Sequence, residues 1–140
     1  MKVIFLDVDG VLNFSGTEAK APSGCVGVVD ACVKKLKRIV DETNAFIVLT
    51  SSWKKEWHMD FEKCGINGKY LVKKLERRGL HVMDKTNDEI NDKQEGVDNW
   101  LKRHPNVTDW IILNNSMLVT KDNGLSDEDA QKAIEILGGK

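Results

Sequence analysis

Short apolar runs alternate with amphipathic stretches along this chain. The runs are rich in β-branched and aromatic residues and predict strands at residues 2–8, 45–49, 80–83, 109–113 and, more briefly, 117–120. Apolar positions at helical spacing predict helices at 28–42, 92–104 and 126–137, with shorter ones near 55–64 and 70–78. Strands that alternate with helices favour a three-layer α/β fold around a mostly parallel sheet.

Size and composition restrict this picture to one domain. The chain has 140 residues, of which 41% are hydrophobic and 31% charged. A chain of this length buries enough apolar surface to fold without disulfides, so we expect residues 1–140 to form a single domain with no separate cap. The three cysteines show no metal-ligand pairing, and we interpret them as buried thiols of a reducing compartment.

Charge and hydropathy also narrow the function classes. The formal net charge is −1, which gives no overall attraction to nucleic acid or to an anionic membrane. No stretch is long and apolar enough to span a bilayer, and the first apolar run is broken at once by Asp7 and Asp9. We therefore expect a cytoplasmic protein with no membrane partner and no obligate protein partner.

Polar side chains with chemical potential follow the predicted strands. In open parallel sheets, ligands bind beyond the carboxyl ends of the strands. The residues at these ends, or opening the helix before the strand at 109–113, are Asp7, Asp9, Thr50, Ser51, Lys93, Asn114 and Asn115. They are the candidate site.

The pair Asp7 and Asp9 needs a physical reason, because an unpaired acid at the edge of a core is costly to desolvate. A divalent metal ion would offset that cost. A lone Asp-x-Asp is nevertheless a weak signal, since the same pattern occurs in metal-binding glycosyltransferases and by chance in loops.

The residues around this pair sharpen the signal. The segment FLDVDGVL at 5–12 resembles the first motif of the haloacid dehalogenase (HAD) superfamily of phosphohydrolases. Thr50 after AFIVL is similar to the second motif, Lys93 to the third, and the end of DWIIL falls where the fourth belongs. More narrowly, TSSW at 50–53, NWLKRHPNV at 99–107 and LVTKDNGL at 118–125 resemble the small HAD-type domain of Swiss-army-knife RNA-repair proteins. The resemblance implies a Rossmann-like three-layer fold without a substantial cap domain.

The resemblance also implies a role for each candidate. Asp7 would be the nucleophile that forms an aspartyl-phosphate, and Asp9 the general acid and base. Thr50, helped by Ser51 or by backbone N–H groups, would hold phosphate oxygens, and Lys93 would neutralise their charge. Mg²⁺ would bridge Asp7, the backbone carbonyl of Asp9 and the phosphate.

The fourth motif departs from the family pattern. It normally presents acidic residues that bind magnesium, whereas here the strand is followed by Asn114 and Asn115. An amide oxygen can ligate Mg²⁺ but lacks the charge that offsets ion dehydration. We therefore expect a phosphatase whose activity is weakened or abolished, and the alternative is an inactive HAD-like module that binds phosphate or a partner. A phosphoaspartate receiver domain is a distant third, because its acceptor should end a middle strand, where this chain has Thr50.

The substrate class follows from the resemblance and the missing cap. Capless members of the superfamily act on bulky or macromolecular phosphates, so we expect a phosphorylated substrate such as an RNA or DNA end. Lys54 and Lys55 are the basic residues nearest the predicted phosphate loop. The four tryptophans are interpreted mainly as core residues, with Trp53 and Trp57 as alternatives for stacking on a base.

Overall fold

A computed structural model describes residues 1–119 and 121–138 of the chain. Within them the central sheet has four strands, all parallel, in the order β3-β2-β1-β4. The strands are β1 (Lys2–Leu6), β2 (Phe46–Leu49), β3 (Val82–Lys85) and β4 (Asp109–Leu113). The helices are α1 (Asp30–Thr43), α2 (Ile66–Glu76), α3 (Lys93–Lys102) and α4 (Asp127–Leu137). The predicted parallel α/β architecture is confirmed.

The helices form unequal layers on the two faces of the sheet. Ile4 and Leu6 of β1 belong to a large apolar cluster that also contains residues of α1, α2 and α4. Val3 and Phe5 point to the other face, where they pack with Val97 and Trp100 of α3. This alternation is the two-residue period of a strand buried on both sides, and it completes the three layers.

The carboxyl ends of the strands are held level by backbone hydrogen bonds. Leu6 is in register with Leu49 of β2 and with Leu113 of β4. The N–H of Asp7 donates to the carbonyl of Leu113 at 3.0 Å, and that of Thr50 donates to Leu6 at 2.9 Å. Since the chain runs outward from β1 to β3 and returns to place β4 on the other side of β1, the strand order reverses here. A ligand crevice is expected at such a reversal.

Several predicted elements differ from the structure, among them the strand predicted at 80–83, which spans Val82–Lys85. In place of the helix predicted near 55–64, the chain forms two 3₁₀ turns, Ser52–Glu56 and Phe61–Lys63. β1 ends at Leu6, since the Val8 carbonyl accepts turn hydrogen bonds from the next segment. The strand predicted at 117–120 is not formed over 117–119, because a turn at 115–117 has the Met117 N–H donating to Asn114, and the Val119 N–H donates to Asp129 instead of to a neighbouring strand. Thr120 lies outside the described residues.

Two side-chain predictions are also corrected. Trp110 is 40% exposed because it stands on the edge strand β4, whereas Trp100 is fully buried. Cys25 is exposed in the β1–α1 connection, while Cys32 and Cys64 are buried as expected, and all three thiols are free. Among the described residues, no helix has the length and apolar character needed to cross a membrane.

Candidate functional site

A cavity of about 430 Å³ opens at the carboxyl ends of β1, β2 and β4. Five of the seven residues predicted from the sequence line it: Asp7, Asp9, Thr50, Lys93 and Asn115. The other residues on its wall are Ser52, Lys54, Lys55 and Asn91. The structure therefore gathers most of the predicted site into one place.

The centre of the cavity is an ion pair between Asp7 and Lys93. The Lys93 Nζ lies 2.5 Å from Oδ2 of Asp7, reaching from the first residue of α3. Oδ1 of Asp7 accepts the Val8 N–H at 3.0 Å. Asp7 is only 5% exposed, and a buried carboxylate is tolerated because a cation and a backbone donor compensate its lost hydration.

Asp9 is held from one side by two donors that the sequence did not reveal. Its Oδ1 accepts a hydrogen bond from Trp53 Nε1 at 3.2 Å and another from Asn13 Nδ2 at 3.0 Å. Asn13 in turn accepts the Gly10 N–H at 2.8 Å, which ties the loop together. Within the described part of the chain, Oδ2 of Asp9 accepts no hydrogen bond, so it is the oxygen available for chemistry.

The hydroxyl groups that follow β2 differ in where they lie and in what they bind. Thr50 lines the cavity, and its Oγ1 donates to the Leu6 carbonyl at 3.2 Å, so its single proton must be redirected before it can bind a phosphate oxygen. Ser51 is 1% exposed and caps the following 3₁₀ turn by accepting the Trp53 N–H. The structure does not bring Ser51 to the cavity, and Ser52 lines it instead.

The two asparagines after β4 also lie in different surroundings. Asn114 Oδ1 accepts from Ser116 Oγ at 2.7 Å and from the Met117 N–H at 3.1 Å, which uses it to close a turn. Asn115 lines the cavity and packs directly over Gly10, where a Cβ would lie 3.0 Å from its Cγ. Only Asn115 is therefore placed with Asp7 and Asp9.

Lys54, one of the two basic residues nearest the predicted phosphate loop, is 4% exposed. Its ammonium donates to Thr86 Oγ1, to the Asn87 carbonyl and to the Ile90 carbonyl at 3.0, 2.8 and 2.9 Å. Burial lowers the pKa of Lys54 from its usual value, and the nearby Asp88 charge opposes that shift. Of the two basic residues, only Lys55 is exposed at the surface.

The tryptophans beside the site fit the core interpretation. Trp53 and Trp57 are each 6% exposed. Their rings are not free to stack on a base, and Trp53 has the second function of orienting Asp9.

The donor atoms of the cavity suit a hard cation. The carboxylates of Asp7 and Asp9 and the amide oxygen of Asn115, all on residues of the cavity wall, are the kind of oxygen ligand that Mg²⁺ prefers. Charge is scarce, however: over residues 1–119 and 121–138, no group of three or more His, Cys, Asp or Glu side chains could hold a metal ion. The residues thus fit magnesium in kind, with weak binding expected.

Comparison with known protein families gives a match over most of the chain. A family model described as the HAD domain in Swiss Army Knife RNA repair proteins matches residues 3–133. No curated protein and no solved structure matches the chain significantly. The match covers the four strands of the described sheet, apart from Lys2, and all residues that line the candidate cavity.

Proposed function

The chain belongs to the family of HAD domains found in Swiss Army Knife RNA repair proteins, and on this basis we propose that it is a magnesium-dependent phosphatase acting through an aspartyl-phosphate. The membership supports a hydrolase of the phosphatase type. The observation that carries the finer proposal is the buried Asp7 carboxylate, paired with Lys93 at 2.5 Å in an accessible cavity.

In the proposed first step, an Asp7 carboxylate oxygen attacks phosphorus while the bond to the leaving oxygen breaks. Lys93, already beside Asp7, neutralises the phosphoryl oxygens as negative charge builds on them. Asp9 donates its proton to the leaving oxygen through Oδ2, because Oδ1 is fixed by Trp53 and Asn13.

In the second step, Asp9 takes a proton from water, which attacks the aspartyl-phosphate and releases inorganic phosphate and free Asp7. Asp7, the Asp9 carbonyl and Asn115 would hold magnesium, which would supply electrostatic stabilisation of the transferring phosphoryl group. An amide in place of a carboxylate at residue 115 weakens that binding, so turnover is expected to be slow.

The proposed substrate is a bulky phosphate ester such as a phosphorylated RNA or DNA end. Between β1 and β4 the described residues contain no domain that covers the cavity, so a large substrate has access. Lys55 is exposed on the cavity wall, and its ammonium donates to the amide oxygen of Asn91 at 3.4 Å. Its charge remains available to a second phosphate group of an oligonucleotide.

The test is magnesium-dependent phosphate release from an aryl phosphate and from a 3′-phosphorylated oligonucleotide. We expect slow turnover by the native chain and none by Asp7→Asn. Asn115→Asp is expected to raise kcat/KM at subsaturating magnesium on the order of 10-fold, since a carboxylate adds charge to the ion's ligand set. Asn114→Asp, the matched control, is expected to change it little because Asn114 belongs to a turn.

Two results contradict the proposal: hydrolysis that survives Asp7→Asn, or equal gains from both asparagine substitutions. A second candidate function is a phosphate-binding module without turnover, which the scarcity of acidic side chains favours. That function is supported if neither the native chain nor Asn115→Asp hydrolyses either ester while inorganic phosphate still binds in calorimetry.

A further inference from the structure

Two lysines join the loop after β2 to the loop after β3: Lys54 is buried, and Lys85, the last residue of β3, is half-buried. The Lys54 ammonium reaches across to three oxygens of the segment 86–90. In the opposite direction, the Lys85 Nζ donates to the carbonyls of Lys54 and Trp57 at 2.9 and 2.8 Å and to Asp88 Oδ2 at 2.8 Å. The contacts are reciprocal, so each loop is anchored by a side chain of the other.

The Lys54 ammonium has no hydrogen left for a ligand. A lysine ammonium has three donors, and three acceptors within 3.0 Å already occupy them. Although Lys54 lines the cavity, its contacts argue against direct phosphate binding. Its three hydrogen bonds instead hold the segment 86–90 in place.

That segment leads directly into the helix that carries Lys93. Thr86 is 2% exposed and accepts from Lys54, and it also packs against α3, since a Cβ at Gly96 would lie 3.4 Å from its Oγ1. The Ile90 carbonyl, another acceptor of Lys54, lies three residues before Lys93. Asp92 caps α3 through the Glu95 N–H at 2.9 Å, so Lys93 begins the helix at a fixed point.

We propose that Lys54 is a positioning residue that fixes the segment 86–92 and thereby holds the Lys93 ammonium against Asp7. The inference rests on the proposed function for its catalytic consequence, since Lys93 matters to turnover only if Asp7 receives a phosphoryl group. Whether Lys54 positions Lys93 can be tested even if the protein hydrolyses no ester.

The test is a double-mutant cycle of Lys54→Met and Lys93→Met, measured both by phosphate release and by calorimetry with inorganic phosphate. Lys54→Met alone is expected to lower kcat by between 10-fold and 100-fold, as displaced catalytic groups do at about 1 Å, and to weaken phosphate binding. In the Lys93→Met background, the same substitution is expected to change either quantity by less than about 2-fold, because coupled residues are not additive.

Hydrogen exchange supplies a readout that needs no ligand. Amides of residues 86–93 are expected to exchange faster in Lys54→Met, whereas Lys37→Met, a control on α1 whose lysine pairs with Asp41, is expected to leave them unchanged. If Lys54→Met fails to fold, Thr86→Val removes one acceptor of the ammonium at smaller cost and is expected to give the same non-additivity with Lys93→Met.

The outcomes separate the two claims. Additive effects of Lys54→Met and Lys93→Met, or unchanged exchange over 86–93, overturn the positioning role whatever the activity. If the native chain binds phosphate without hydrolysing any ester, the phosphatase proposal fails, and a non-additive cycle in phosphate binding still supports the role of Lys54.

Discussion

Replacing Gly10 by alanine perturbs the contact between the Asp9 loop and Asn115. Gly10 has a φ of +82°, and a Cβ built there lies 3.0 Å from Asn115 Cγ and 3.1 Å from Asn115 Cβ. Gly16 offers a matched control in the same connection, because its φ is +90° but nothing lies within 4 Å of its Cβ position. Both substitutions place an alanine in a left-handed backbone conformation, but only Gly10→Ala brings a Cβ against Asn115.

The shared penalty is modest. A left-handed conformation costs a non-glycine residue roughly 1–2 kcal/mol, and alanine recovers about 0.4–1 kcal/mol by restricting the unfolded chain. Both variants are therefore expected to lose about 1 kcal/mol of unfolding free energy, or about 3–5 °C in Tm for a domain of this size. Gly10→Ala adds the displacement of Asn115, since carbon atoms prefer separations of about 3.5–4.0 Å.

Asn115 must move by roughly 0.5 Å to restore an ordinary contact distance to the alanine Cβ. This movement is expected to weaken the proposed binding of magnesium by Asn115. We expect kcat/KM at subsaturating magnesium to fall about 10-fold in Gly10→Ala and to stay unchanged in Gly16→Ala. Thermal melts and phosphate-release assays on the two variants measure both effects. Equal activities at equal loss of Tm refute the placement of Asn115 beside the Asp9 loop.

Two further predictions concern stability. Trp100→Ala is expected to cost about 3–5 kcal/mol in urea denaturation because Trp100 is fully buried, whereas Trp110→Ala, at 40% exposure, is expected to cost about 1 kcal/mol or less; similar losses would contradict their assigned packing. The Arg78 guanidinium holds the pKa of Asp30 below its usual 3.8. This contribution is present above that pH and is lost as pH falls through the lowered pKa, so the Tm deficit of Asp30→Asn should disappear in acid; a deficit that persists there contradicts the ion-pair origin.

The sequence predicts the meeting of Asp7, Thr50 and Lys93 for a topological reason. Each lies directly after a buried strand or at the start of the helix that leads to the last one. The carboxyl ends of parallel strands share one edge, so the chain order and the strand pattern suffice to bring these residues together. No knowledge of side-chain conformation is needed at that level.

The strand pattern does not predict which of two adjacent residues faces the cavity. Ser51 and Ser52 have similar chemistry, yet Ser51 caps a turn while Ser52 lines the cavity. A capping serine is visible as a local signal, but which of two hydroxyls caps depends on the backbone angles. The bond from Trp53 to Asp9 spans 44 residues, and no local pattern encodes such a contact.

Lys54 shows the same limit for a charged residue. Lysines are mostly exposed, so a lysine after the predicted phosphate loop is expected at the surface. Its burial becomes favourable only because the loop after β3 presents three oxygens to the ammonium. Those oxygens belong to a segment more than 30 residues away, and two of the three are backbone carbonyls that no sequence identifies.

The different positions of Asn114 and Asn115 reduce the number of missing carboxylates that can impair catalysis. Counted along the sequence, two carboxylates are absent from the fourth motif, but Asn114 closes a turn and only Asn115 faces Asp7 and Asp9. At the proposed magnesium site, the missing negative charge therefore comes from one position, residue 115. One added charge at residue 115 should restore most of the attraction for a divalent cation, since Coulomb interactions at contact distance exceed those across a turn. The unequal effects expected of the two aspartate substitutions follow from this geometry alone.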